Sequence, residues 1–160
     1  MTSDELIEIE QIRQLKYAYF RCIDQKRWDE LAALFLPDIE VRYGGGAHTM
    51  TGADTVIEWL RFSMDADTFH TSHRGGHPEI ELLGPDTARG VWAFDDVVID
   101  TGFDITIRGA GFYTDEYRKV DGRWRFAVTG YKRTYEELET RDGLALTASW
   151  WNTDGVSTLG

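Results

Sequence analysis

The order of hydrophobic periodicities is what most constrains this chain. Helical spacing dominates as far as Met64, and from Phe69 onward it gives way to alternation interrupted only by short turn signals. Over residues 4–24, Ile12, Leu15, Tyr19, Cys22 and Ile23 recur at steps of three and four, which predicts a helix burying one stripe and capped by Ser3 or Asp4. A shorter helix is predicted over residues 28–36, ended by Pro37, because proline disfavours helical geometry in the residue before it. Ile39, Val41 and Tyr43 alternate with polar residues and predict a strand that the glycines 44–46 break. Val56, Ile57, Leu60 and Met64 then place a third helix over residues 53–64. Beyond it, strands are predicted over residues 77–83, 87–99, 103–120 and 123–133, separated by Gly84-Pro85-Asp86, Thr101-Gly102 and Asp121-Gly122. Such short connections pair consecutive strands antiparallel. Three helices followed by a long meander predict an α+β layer design, with the helices covering one face of a bent sheet.

The chain has 160 residues, 42% of them hydrophobic and 28% charged, which suits one domain with a packed core and no need of disulfide or metal staples. Asp and Glu total 28 against 17 Lys and Arg, a net charge of -11 that would repel a phosphate backbone, so nucleic acid is excluded as a partner. The single cysteine, Cys22, forms no intrachain disulfide and fits a reducing compartment. The opening MTSDELIEIEQ lacks the basic start and apolar run of a secretory signal, and no later stretch reaches membrane-spanning length. A cytoplasmic protein without membrane contact is therefore expected. The adjacent Trp150 and Trp151 are expected to cap a pocket or to pack against another subunit.

No phosphate-cradling glycine motif is present, because Gly44 to Gly46 lack the strand, helix and spacing such a loop needs. No cysteine and histidine cluster suggests zinc, and His70, His73 and His77 lie in an extended segment where residues three apart point to opposite faces. No metal site is expected. Taken alone, His73 is compatible with an ordinary strand-edge histidine, and Asp24 with a solvated helix end or a cap for the second helix. Asp96 is more informative, since it falls in register with Ala88, Gly90, Trp92, Phe94 and Val98, whereas Asp95 falls with Arg89. Alternation thus assigns Asp96 to the apolar face, either as a desolvated site carboxylate or at the strand's open end.

Several stretches in order resemble the SnoaL-like family of the NTF2-like superfamily. They are Tyr19-Phe20-Arg21-Cys22-Ile23-Asp24, Trp28-Asp29-Glu30-Leu31, Phe35-Leu36-Pro37-Asp38, Thr51-Gly52, His73 through Pro78-Glu79-Ile80, Gly109 to Tyr117, and Gly122-Arg123-Trp124-Arg125-Phe126. The resemblance implies a cone-shaped α+β domain over residues 1–136, with three N-terminal helices packed in the concave face of a strongly bent, mainly antiparallel sheet around a deep pocket. Residues 137–160 would then be an extension serving as lid or subunit contact. It further implies a cofactor-independent lyase or isomerase, dehydratase-like, acting on a small, largely apolar, possibly cyclic substrate. By position, His73 matches the family's base and Asp24 its partner, Tyr19 matches a polar substrate contact, and Asp96 and Arg133 match polar residues on later strands. Trp92, Phe94, Tyr113 and Arg133 are the expected substrate-binding residues.

A neutral imidazole, ordinarily titrating near ~6.5, is suited to take a proton from a carbon beside a carbonyl. Asp24 would orient it, while Tyr19, or an Asp96 kept protonated by its apolar neighbours, would polarise the carbonyl or assist the leaving group. Family habit implies a homodimer or homotrimer. The family also has non-catalytic members, so a ligand-binding or assembly domain is the alternative.

Overall fold

The computed structural model describes residues 1–159. Three helices, α1 (Ser3–Asp24), α2 (Trp28–Ala33) and α3 (Ala53–Met64), pack on one face of a six-stranded sheet. Its strands are β1 (Phe35–Tyr43), β2 (His48–Thr51), β3 (Phe69–Leu82), β4 (Thr87–Asp100), β5 (Ile105–Val120) and β6 (Arg123–Thr140), in the order β2-β1-β6-β5-β4-β3. Every neighbouring pair is antiparallel except β1 with β6, which run parallel. The result is the bent α+β cone that the periodicities and the resemblance imply.

The cap of α1 is Thr2, one residue before the predicted Ser3. Thr2 accepts from the Glu5 backbone N–H and Glu5 reaches back to the Thr2 backbone, a reciprocal capping box that satisfies two otherwise orphaned donors. Its apolar stripe is buried as expected, with Ile12, Tyr19 and Cys22 fully enclosed. α2 stops at Ala33 instead of reaching residue 36, because Phe35 is drawn into the sheet by its pairing with Phe126, whose N–H donates to the neighbouring Leu34 carbonyl. Pro37 therefore lies inside β1, where a register shift between Phe35 and Glu40 accommodates a residue that cannot donate to the ladder. The stretch after the glycines, given no structure by the sequence reading, forms β2, since Tyr43 pairs with His48 across the glycine turn. At the other end, β6 runs past residue 133 to Thr140 in register with the start of β5.

Inward residues of the central strands meet the helices. On β4, Ala88, Trp92, Phe94 and Asp96 are buried while Arg89 and Asp95 are exposed, so the strand keeps the predicted alternation. After β6 the chain turns back along the molecule. Arg141 is buried and donates to Thr106 Oγ1, Asn152 donates to the Asp67 carbonyl, and the Lys26 ammonium sits 4.4 Å from the Trp151 ring centroid. No helix among the described residues is long and apolar enough to cross a membrane.

Candidate active site

Asp24 ends α1, where the helix dipole disfavours a carboxylate unless donors surround it. β3 supplies them. Thr71 Oγ1 donates to Asp24 Oδ1 over 2.8 Å, the His73 backbone N–H donates to Oδ2 over 2.9 Å, and the His73 ring Nδ1 lies 2.7 Å from Oδ1. A carboxylate only accepts, so Nδ1 carries a proton, and in the neutral ring the lone pair lies on Nε2, toward whatever that atom faces. Phe20 stacks on the imidazole at 12° between ring planes, which fixes the ring laterally. Gly75 makes this possible, because a Cβ there would fall 2.2 Å from the Phe20 ring.

Beside His73 stands a second polar pair. Both Arg133 terminal nitrogens donate to Asp96, over 2.6 and 2.7 Å, and Arg133 Nε lies 2.7 Å from Glu136. Asp96 is buried at 4% exposure, as its register predicts. Its two oxygens are both engaged by the guanidinium, a bidentate charge-assisted geometry that leaves no hydroxyl for a substrate. The reading of Asp96 as a protonated donor is thereby corrected. These bonds also push the Arg133 pKa up. The nearest Asp96 oxygen is 3.9 Å from His73 Nε2, beyond hydrogen-bond reach, so that nitrogen is not consumed by the pair.

His73, Asp96 and Arg133 line a cavity of about 190 Å³ walled by Tyr19, Tyr43, Trp59, Tyr113 and Tyr131. An apolar cavity of ~150 Å³ holds benzene, so the space suits a small ring compound. The Tyr19 and Tyr43 hydroxyl oxygens are 2.9 Å apart. Burial pushes both phenols, and that of Tyr113, above the ordinary tyrosine value. They are thus neutral donors; one hydroxyl proton is spent between Tyr19 and Tyr43, and the other remains for a ligand.

Of the residues expected from the sequence, the fold brings Tyr19, Asp24, His73, Asp96, Tyr113 and Arg133 together. Trp92 and Phe94 share the inward face but do not line the cavity. Trp92 is spent deeper in the core, its Nε1 donating to Tyr117 Oη, and Phe94 lies behind the rings of Tyr113 and Tyr131 at centroid distances of 4.8 and 5.4 Å. Neither Trp150 nor Trp151 is among the lining residues of this cavity. Tyr43, Trp59, Thr71 and Tyr131 were not singled out from the sequence; the alternation of Tyr43 with Val41 and Ile39 is the signal that points the first of them inward.

A bent sheet wrapped around three helices, with polar groups gathered inside an aromatic cavity, is the layout of the NTF2-like class. Residues 4–129 match the SnoaL-like domain, and the chain belongs to that family. A candidate scytalone dehydratase from Novosphingobium aromaticivorans superposes with a TM-score of 0.79 at 25% identity, over 98% of this chain and 99% of that one. The hexachlorocyclohexane dehydrochlorinase LinA type 3 of Novosphingobium barchaimii superposes with a TM-score of 0.77 over 89% and 96% of the two chains; at 20% identity this speaks for the fold alone. A probable cyclase of Gibberella zeae is 24% identical over 140 residues, 79% of this chain and 91% of its own.

Proposed function

We propose that the protein is a lyase or isomerase working without a cofactor, with His73 as its base. The observation that carries this reading is the 2.7 Å contact between His73 Nδ1 and Asp24, which leaves the basic Nε2 lone pair free at an aromatic cavity. A ring substrate bearing a carbonyl sits against the tyrosine wall, and the hydroxyl proton left over by the Tyr19–Tyr43 pair is donated to its oxygen. His73 Nε2 takes a proton from the adjacent carbon, and the electron pair moves toward the carbonyl oxygen. Asp24 stabilises the imidazolium. That proton then passes to a departing hydroxyl, giving elimination of water, or to another carbon of the same substrate, giving isomerisation. The dehydratase and cyclase names of the relatives support chemistry of this kind.

Enolisation alone provides the test. Protein in D₂O is incubated with cyclic ketones such as 1-indanone and 2-tetralone, and exchange of the α-protons is followed by NMR. Wild-type protein accelerates exchange and His73→Gln loses on the order of 10²- to 10⁴-fold. Exchange by wild type at the rate of buffer, with ligand bound, would instead favour a non-catalytic binding domain.

A further inference from the structure

Below the cavity floor lies an ion pair that the chemistry above leaves unused. Lys16, on α1, and Asp115, on β5, are both fully buried and 2.7 Å apart. Asp115 is held by two further donors, since Oδ2 also accepts from Tyr117 Oη and Oδ1 accepts from Thr129 Oγ1. Among the described residues the ammonium has no other oxygen partner. Its remaining N–H groups meet ring faces, 3.6 Å from the centroid of Tyr113 and 4.7 Å from that of Tyr19. Those two tyrosines are cavity-wall residues, while Lys16 itself does not reach the cavity. A buried ion pair is no better for stability than well-packed apolar side chains, so packing alone does not call for a charge here.

A cation on the face of a phenol draws electron density from the ring and makes its hydroxyl a stronger donor, most of all when the acceptor gains negative charge. We infer that Lys16 is a positioning residue whose ammonium, lodged behind Tyr113 and Tyr19, strengthens these phenols as donors to the substrate oxygen on which negative charge develops. The inference rests on the enolising reaction proposed above for its role in turnover, yet it is read at equilibrium, independently of turnover. Lys16 acts only through the rings and touches no reacting atom.

The probe is 4-nitrophenol, whose ionised and neutral forms differ in absorbance. Binding across a pH series gives the ratio of affinities for phenolate and phenol. In Lys16→Met/Asp115→Asn, which leaves no lone buried charge, the ratio falls roughly 10- to 30-fold from wild type, the equivalent of one desolvated cation–π contact. Tyr113→Phe and Tyr19→Phe each remove one oxygen and keep the ion pair; at least one of them lowers the ratio similarly, and the double substitution adds little in that background. A merely structural pair would shift the melting temperature and leave the ratio unchanged. The inference is overturned if the ratio is the same in the folded double variant, if both Tyr→Phe variants retain the wild-type ratio, or if wild type does not bind 4-nitrophenol. Failure of the enolisation reading appears separately, as absent deuterium exchange.

Discussion

Replacing Asp24 by Asn keeps the side chain's shape and removes its charge and one of its two acceptor atoms, and the geometry fixes how the site must respond. The His73 backbone N–H and the Thr71 hydroxyl approach opposite oxygens of Asp24, with the His73 ring on the Thr71 side. An amide can accept on one side only. The backbone N–H has no alternative role, so the Asn oxygen must face it and the NH₂ must face Thr71 and the imidazole. Thr71 can turn its hydroxyl to accept, but His73 Nδ1 can accept only by giving up its proton. The ring then becomes the Nε2–H tautomer, which presents a donor to the cavity where the wild type presents a base. Three charge-assisted hydrogen bonds become neutral, a loss of about 2 kcal/mol, which for a domain of this size lowers Tm by roughly 4–8 °C. Long-range ¹H–¹⁵N spectra of the histidine rings report the tautomer directly, and α-proton exchange should fall on the order of 10²- to 10⁴-fold alongside. If Asp24→Asn keeps the Nδ1–H tautomer and the wild-type Tm, the account of how Asp24 holds His73 is wrong.

Gly109→Ala places a methyl group 2.2 Å from Arg133 Nη1 and 2.9 Å from the Tyr135 carbonyl, so thermal unfolding should show a loss of about 1–3 kcal/mol. Gly76→Ala, with nothing within 4 Å, is the matched control and should cost far less. Alkaline pH tests the buried lysine. Burial lowers Lys16 to about 8 from the ordinary 10.5, against the pull of Asp115. Between these values the lysine binds more protons in the unfolded chain than in the folded one, so its contribution to stability should rise with pH across that window. The buried phenols of Tyr19, Tyr43 and Tyr113 pull the other way as those of the unfolded chain ionise, so the readout is the difference in urea midpoint between wild type and Lys16→Met/Asp115→Asn, which should shift in favour of wild type across the window.

How much of this was legible in the sequence depends on whether a residue's setting is local. The stripe of α1 and the alternation of β4 report which face is buried, and they put Asp96 inward without any partner in view. They say nothing of what comes from elsewhere in the chain. That Asp96 meets Arg133 from β6, and hence serves as an acceptor, follows from strand order and not from β4. α2 ends earlier than its local pattern predicts for the same reason, since Phe35 pairs with Phe126 of β6. Asp24 and His73 entered by resemblance, because neither residue's own neighbourhood distinguishes a site from a surface. Lys16 and Asp115 are different. Lys16 falls beside Leu15 and one helical step from Ile12 and Tyr19, and Asp115 alternates with Tyr113 and Tyr117, so the alternation that turns Asp96 inward on β4 turns Asp115 inward on β5 equally well.

The parallel pairing of β1 with β6 has a bearing on how the molecule is made. Hairpins β3–β4, β4–β5 and β5–β6 close locally, but Phe35 must wait for Phe126, and Arg42 for Gly130. Closing so long a loop is slow compared with hairpin formation. During synthesis α1, α2 and β1 leave the ribosome with their apolar faces uncovered, and the cavity gains its Tyr131 and Arg133 wall only when β6 docks. Asp24 and His73 join α1 to β3, whereas Asp96 and Arg133 join β4 to β6, so the two polar pairs of the site depend on different closures of the chain.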